Sequence, residues 1–266
     1  MAIPASHPTL DYTVTDRVAH ATFTREDQQN TLSEQSLDDL NAVVARVQQD
    51  TDLRALVIRG SGGEYFSAGL DQDLLATAFA DFEYYEHALT RVAATCFSLE
   101  ALEVPVVAAV NGICSEVGFE LALACDFLVI ADEAKIGDGR GEHGRVPGGG
   151  ATIRLPRAIG IQRARELLYS ARLMSGTEAA QIGLALRSVP LAQLESAVAE
   201  LTAQFADKSR GALAATKRQL NGGLGLDTPS GVEHERSEFL KYLREPGSDA
   251  LEGFRAIQED RRPNWV

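Results

Sequence analysis

Short apolar runs alternate with helical patterns along the first two hundred residues of the sequence. Leu10–Val14 and Val18–Phe23 alternate in the manner of strands around a polar link, which is typical of a β-hairpin. Ala55–Ile58, Val106–Val110 and Phe127–Ala131 carry no charge, as strands buried on both faces do. Helical spacing of apolar residues fills the segments between these strands. The pattern predicts an α/β fold.

After Pro190 the pattern is helical only, and four helices are predicted between Ala192 and about Glu259. We therefore divide the chain into a core over residues 1–200 and a helical oligomerisation region over residues 201–266. These helices carry more apolar residues than one subunit is expected to cover, so we predict a homo-oligomer. The candidate contact residues are Leu194, Val198 and Leu201 on one helix, and Phe239, Leu240 and Leu243 on another.

The stretch VPVVAAVNGICSEVGFELALACD, residues 104–126, joins a buried strand to an apolar helix. Asn111 and Gly112 predict a turn between the two, because both residue types tolerate positive φ. The start of such a helix presents free N–H groups and the positive end of the helix dipole, which favours an oxyanion. Glu120 is the one charge within the apolar helix, so it is either a paired structural acid or a catalytic group.

The segment DGRGEHGRVPGGG, residues 138–150, has no periodicity and is predicted to be a functional loop. His143 lies in it and is a candidate base; the other histidines are scattered without metal-ligand spacing. Gly148–Gly150 matches neither GxGxxG nor the P-loop pattern, so a nucleotide-binding oxidoreductase is set aside. These glycines instead indicate a close approach of backbone to a ligand.

Composition narrows the classes of partner. The net charge of −13 and the lack of a basic run argue against nucleic acid and against an anionic membrane surface. Cys96, Cys114 and Cys125 lie in apolar surroundings, as free thiols in a reducing compartment do. Neither a signal peptide nor an apolar run of membrane-spanning length is evident. A cytoplasmic protein without a membrane partner is expected.

Four segments in register resemble the enoyl-CoA hydratase/isomerase, or crotonase, superfamily. They are FSAGLD (residues 66–71), VPVVAAVNG (104–112), FELALACD (119–126) and VPGGGATIRLPRAIG (146–160), and the C-terminal segment is also similar. The resemblance implies a spiral of ββα units with two nearly perpendicular sheets and a helical C-terminal trimerisation region. It also implies an acyl-CoA thioester substrate, a homotrimer or hexamer, and no metal or redox cofactor beyond coenzyme A in the substrate.

The resemblance further implies an oxyanion hole formed by the backbone N–H groups of Ala68 and Val117, which hold a thioester enolate. Glu120 matches the first glutamate of the family's hydratases, whereas Arg140 stands at the second. Arginine accepts no proton, so Arg140 is expected to bind an anionic or carbonyl group of the acyl tail, and Glu142 or His143 to replace the missing acid. The expected substrate-binding residues are Gly69, Leu70, Asp71, Gly118, Gly148 and Gly149.

Several reactions stay open at this point. Enoyl-CoA hydration is the commonest activity of the family, but double-bond isomerisation and hydrolytic carbon–carbon cleavage proceed through the same enolate. The lost second acid also fits a catalytically silent paralogue that only binds coenzyme A esters. The retained Glu120 and the intact FSAGLD segment favour an enzyme.

Overall fold

The computed structural model describes residues 7–245 and 248–265. Within them, two β-sheets are surrounded by helices. One sheet has six strands in the order β1-β2-β3-β5-β7-β10, and the other has four in the order β4-β6-β8-β9. The strands are β1 (Leu10–Thr15), β2 (Val18–Phe23), β3 (Ala55–Gly60), β4 (Tyr65–Ser67), β5 (Val106–Val110), β6 (Ile113–Ser115), β7 (Phe127–Ala131), β8 (Lys135–Gly137), β9 (Met174–Ser175) and β10 (Arg187–Val189).

The helices follow the strands in alternation up to β10 and then continue alone. They are α1 (Glu34–Gln49), α2 (Gln72–Ala80), α3 (Phe82–Ala101), α4 (Glu116–Leu123), α5 (Ala151–Ile159), α6 (Ile161–Ser170), α7 (Gly176–Gln181), α8 (Leu194–Ala206), α9 (Arg210–Gly223), α10 (Thr228–Arg244) and α11 (Ala250–Gln258). Short 3-10 helices cover Glu26–Gln28, Arg140–His143 and Leu191–Gln193. The predicted α/β architecture with a helical C-terminal region is confirmed.

The six-stranded sheet begins with the predicted antiparallel hairpin β1–β2, and its other strands are parallel. Its central strand β5 is fully buried, as the uncharged run predicts. One face of the sheet belongs to the main core with α1, α3 and α4, and the other face is covered by α8. The core therefore holds the end of β5, and with it the start of α4, in a fixed place.

The position of α8 shows that one prediction about assembly is wrong. Leu194, Val198 and Leu201 are buried against the outer face of the six-stranded sheet, so they belong to the subunit's own core. The local pattern shows an apolar helix face but not what covers it. Phe239 and Leu243 of α10 are exposed, as the oligomer prediction requires. The division at residue 200 falls inside α8 and stays a prediction.

The turn after β5 also differs from expectation. Neither Asn111 nor Gly112 has a positive φ; the left-handed residue is Glu116, with φ of 51°. Gly112 is needed for another reason, since a Cβ there would lie 2.2 Å from the carbonyl oxygen of Glu64. Asn111 binds the backbone of Gly60 and Gly62 and so ties the end of β5 to β3. Strand β4 pairs in parallel with β6, which follows this turn.

Among the described residues, no helix is both long and apolar enough to cross a membrane.

Candidate active site

Glu120 lies on the second turn of α4 and is fully buried. Its Oε1 accepts hydrogen bonds from Gly149 N at 2.7 Å and from Ala151 N at 3.1 Å. Its Oε2 lies 2.8 Å from Arg140 Nη2, but this ion pair is not aligned as a hydrogen bond. Within the described residues, Oε2 thus has no hydrogen-bond partner. A buried carboxylate oxygen in this state is well suited to exchange a proton with a bound molecule.

Arg140 is held from the other side by Asp138. Its Nε lies 3.1 Å from both carboxylate oxygens of Asp138, and its Nη2 lies 2.7 Å from Oδ2. Burial by itself would lower the pKa of Arg140, but the charges of Glu120 and Asp138 outweigh it and raise the pKa. The guanidinium therefore stays charged between two buried carboxylates.

These contacts change the expected role of Arg140. The sequence suggested that it binds the acyl tail, whereas the structure commits Nε and Nη2 to Asp138 and Glu120. Of the three guanidinium nitrogens of Arg140, only Nη1 has no hydrogen-bond or ion-pair partner among the described residues. Asp138 was not foreseen as a site residue, since an aspartate in a glycine-rich loop carries no signal of its own.

Glu142 and His143 follow Arg140 in the short 3-10 helix, and both are exposed. Within the described residues neither side chain has a hydrogen bond or an ion pair. The loop brings residue 140, and not Glu142 or His143, to Glu120, and the replacement of the second acid by either of these two residues stays a prediction. Gly139 and Gly144, at φ of 73° and 67°, bracket this turn and set its path.

The predicted oxyanion donors differ in what their N–H groups contact. Val117 N, at the start of α4, has no acceptor within the described residues, as expected for the first turn of a helix. Ala68 N donates to Gln29 O at 3.1 Å, so this N–H is engaged. Ser115 Oγ donates to Ala68 O at 3.3 Å and keeps the two segments together. The N–H of Val117 therefore lacks an acceptor among the described residues, whereas that of Ala68 is already engaged.

Glu116 precedes Val117 in the left-handed region, which costs a residue with a Cβ about 1–2 kcal/mol. Its carboxylate forms two contacts with the Arg145 guanidinium, of which Nη1–Oε2 measures 3.0 Å. Its backbone N–H donates to Asp138 O at 3.0 Å. The start of α4 is thereby tied to the loop that carries Arg140.

Three predicted glycines permit close packing. A Cβ on Gly118 would lie 2.5 Å from Ser67 O, and one on Gly149 would lie 2.7 Å from Glu120 Oε2. A Cβ on Gly148 would touch Leu89 at 3.0 Å. The glycine run therefore brings backbone close to the acid itself, and its approach to a ligand stays a prediction.

The segment after Ala68 has structural roles. Gly69 needs glycine at φ of 111°, and Leu70 is buried in the core. Asp71 caps α2 through Asp73 N and pairs with Arg25. Burial would raise the pKa of Asp71, but Arg25 and the cap outweigh it and lower the pKa.

Comparison with known proteins fits this arrangement. The chain matches the model of the enoyl-CoA hydratase/isomerase family over residues 13–266. The chain belongs to this family. It is 32% identical over 240 residues to the mitochondrial methylglutaconyl-CoA hydratase of Homo sapiens, covering 89% of this chain and 70% of that protein. It is also 32% identical over 256 residues to the crotonyl-CoA hydratase of Syntrophomonas wolfei, covering 94% and 95%.

Solved structures agree. The crystal structure of an enoyl-CoA hydratase from Bacillus anthracis superposes with a TM-score of 0.89 at 32% identity, covering 97% of this chain and 98% of that chain. The chain is therefore an acyl-CoA-processing enzyme of the hydratase/isomerase type, as the resemblance implied.

An apolar cleft of about 710 Å³ lies between α3 and the segment that precedes Gly149. Phe79 and Phe82, at the junction of α2 and α3, form one side of it, and the segment Gly144–Gly148 forms the other. Gly149, whose N–H binds Glu120, directly follows that segment. The volume and apolar lining suit the acyl part of a thioester.

Proposed function

We propose that this enzyme isomerises the double bond of an enoyl-CoA thioester and that Glu120 is its only acid/base. The observation that carries the proposal is the ion pair between Arg140 Nη2 and Glu120 Oε2, at 2.8 Å, where a two-carboxylate hydratase has its second acid. An arginine accepts no proton from water, because its guanidinium stays charged.

Isomerisation needs one carboxylate that takes a proton and returns it elsewhere. Glu120 Oε2 removes a proton from the α-carbon of a 3-enoyl thioester, and the electron pair moves to the thioester oxygen to give a dienolate. Val117 N stabilises that oxygen, joined by Ala68 N once its bond to Gln29 gives way. The protonated Glu120 then returns the proton to the γ-carbon, which yields the conjugated 2-enoyl thioester. No atom is gained or lost, and neither water nor a metal or redox cofactor takes part.

The neighbours of Glu120 support this cycle. Gly149 N and Ala151 N fix Oε1, which leaves Oε2 as the oxygen that moves the proton. Arg140 stabilises the carboxylate after the proton has left, and Asp138 keeps Arg140 in position. The site thus combines a fixed base with an oxyanion donor at the start of the same helix.

Hydration is the second candidate, because the relatives that match this chain are named crotonyl-CoA and methylglutaconyl-CoA hydratases. Under that reading Glu120 would both activate the water and deliver a proton to the enolate. The apolar cleft suits either reaction.

A substrate comparison separates these readings. We expect 3-butenoyl-CoA to be converted to crotonyl-CoA in ²H₂O at least about a hundredfold faster than crotonyl-CoA is hydrated, since a single carboxylate serves only the first reaction well. Faster hydration would show that the isomerase assignment is wrong. Binding of both esters without turnover would identify a silent coenzyme A ester binder.

Assembly and location complete the proposal. We assign the exposed apolar side chains of α10, among them Phe239 and Leu243, to a subunit contact in a homotrimer or hexamer. A cytoplasmic location and the absence of nucleic-acid and membrane partners remain predictions from composition.

A further inference from the structure

The ion pair between Glu116 and Arg145 lies between the apolar cleft and Ala68–Gly69. This dipeptide, called the oxyanion segment below, contains one of the two predicted oxyanion donors. A Cβ built on Gly69 would lie 2.7 Å from Glu116 Cβ and 3.0 Å from Glu116 Oε2, so this side chain lies directly over the residue after Ala68. Arg145, which holds the same carboxylate, forms part of the cleft wall. From the oxyanion segment to the cleft, the order is therefore Gly69, Glu116, Arg145 and then the apolar lining.

Neither member of the pair is free to bind a substrate group. Both guanidinium Nη atoms of Arg145 contact the Glu116 carboxylate, and the side chains retain only 20% and 15% of their exposure. An acidic acyl group would have to displace a two-point contact that is already formed. The pair thus acts as a wall.

The same pair fixes the two segments that hold the reacting groups. Glu116 precedes Val117, the donor with a free N–H, and Arg145 N donates to Arg140 O at 3.1 Å. Glu116 also keeps its left-handed conformation despite having a Cβ, which glycine would adopt without strain. Because Glu116 holds a strained left-handed conformation and is paired with Arg145 across the site, we expect the pair to have a function.

We infer that Glu116 and Arg145 form a gate that selects short acyl groups. The inference rests on the proposed function, in which the thioester oxygen binds Val117 N. Glu116 covers Gly69, and Arg145, which is paired with Glu116, lines the cleft, so an acyl chain that extends from there toward Phe82 runs along the pair. With the pair closed, a four-carbon acyl group fits beside Glu120, and a longer chain requires the pair to separate.

Binding of unreactive saturated thioesters tests the gate without turnover. Dissociation constants for butyryl-CoA and decanoyl-CoA are measured by calorimetry for the wild type, Glu116→Gly, Arg145→Ala and Arg145→Met. Glu116→Gly removes the wall and relieves the positive φ, so folding is expected to be preserved. Arg187→Ala, which removes an ion-paired arginine on β10, is the matched control.

We expect Glu116→Gly and Arg145→Ala to shift affinity toward decanoyl-CoA over butyryl-CoA by at least about tenfold, since burial of two further methylene groups accounts for that much. Arg145→Met breaks the ion pair but keeps most of the bulk, so a smaller shift is expected. Arg187→Ala is expected to leave the ratio unchanged.

An unchanged ratio in Glu116→Gly and Arg145→Ala, with both esters bound by the wild type, would show that the gate alone is wrong. If the folded wild type binds neither ester, the acyl-CoA site is wrong, and the gate is wrong with it. These outcomes keep a failure of the inference distinct from a failure of the proposed function.

Discussion

Arg140 Nη2 lies 2.8 Å from Glu120 Oε2, and both side chains are almost entirely buried. The second contact of Arg140, with Asp138 Oδ2 at 2.7 Å, completes a buried row of carboxylate, guanidinium and carboxylate. Two negative charges around one positive charge leave the row with a net charge of −1 if both acids are ionised. Buried ion pairs of this kind contribute little net stability, but removal of one member is costly. The row therefore links the chemistry of the site to its folding.

Glu120→Gln is expected to lower turnover of the best substrate by about 10²–10⁴-fold, because it removes the group that moves the proton. The amide oxygen still accepts the N–H groups of Gly149 and Ala151, so acyl-CoA binding is expected to change little. Steady-state kinetics and calorimetry measure the two effects. Glu142→Gln is the control, since Glu142 is exposed. A near-native rate in Glu120→Gln would make Glu120 a structural acid.

Arg140→Glu by itself is expected to destabilise the fold by about 3–5 kcal/mol, because it replaces the cation between two buried acids with a third acid. In the double variant Arg140→Glu/Asp138→Asn the added carboxylate faces Glu120 with one fewer acid nearby. Hydration of crotonyl-CoA is expected to rise in this variant and not in Arg140→Gln/Asp138→Asn. Equal hydration rates in these two double variants would show that a carboxylate at residue 140 does not reach the substrate.

The oxyanion role of Val117 is best tested in the background Glu116→Gly. A proline at residue 117 removes the N–H but also restricts the residue before it, which is left-handed in this structure. Glycine at residue 116 relieves that conflict. Glu116→Gly/Val117→Pro is expected to turn over about 10²–10³-fold more slowly than Glu116→Gly. Similar rates in two folded variants would place the thioester oxygen elsewhere.

Lys217→Met tests how α9 is attached to the core. Lys217 Nζ lies 2.7 Å from Asp126 Oδ2 and 3.0 Å from Leu99 O. We expect a loss of about 2–3 kcal/mol in the free energy of unfolding at pH 7.5, less than for a fully buried pair because Asp126 is partly exposed. Urea denaturation measures it, and Lys217→Met/Asp126→Asn is expected to lose less.

The effect of Lys217→Met is also expected to depend on pH. Burial raises the pKa of Asp126 above its ordinary value of 3.8, although Lys217 opposes this. A raised pKa in the folded state contributes stability at low pH that is lost as the pH rises through that pKa. Without Lys217 the pKa rises further, so the variant is expected to differ least from the wild type in acid. An equal difference at pH 5 and pH 7.5 would contradict this.

Sedimentation tests the predicted oligomer. Phe239 and Leu243 are 49% and 44% exposed on α10, a helix without buried residues. Wild-type protein is expected to sediment as a trimer or hexamer at micromolar concentration, and Phe239→Asp/Leu243→Asp as a smaller species. Tyr169→Asp on α6 is the matched control for a charge introduced at an exposed aromatic residue. A monomeric wild type would refute the assembly.

Local pattern alone determined much of this fold. The uncharged run of β5, the glycines at residues 112 and 118, and the lone charge of Glu120 follow one another within sixteen residues. Their backbone and side-chain preferences agree, so the strand and the helix with its acid were predictable, whereas β6 and the left-handed Glu116 between them were not. The hairpin β1–β2 was predictable for the same reason, because period-two alternation needs no distant partner.

The tertiary structure decided which groups meet. Glu116 and Arg145 are 29 residues apart, and their contact depends on the path of the loop through Gly139 and Gly144. The same path turns Arg140 inward and leaves His143 exposed. Helical periodicity also predicted the apolar face of α8 that contains Leu194, but it did not identify the sheet that covers this face. Sequence pattern encodes the preference of each segment, whereas contacts between segments depend on packing and loop geometry that no single segment contains.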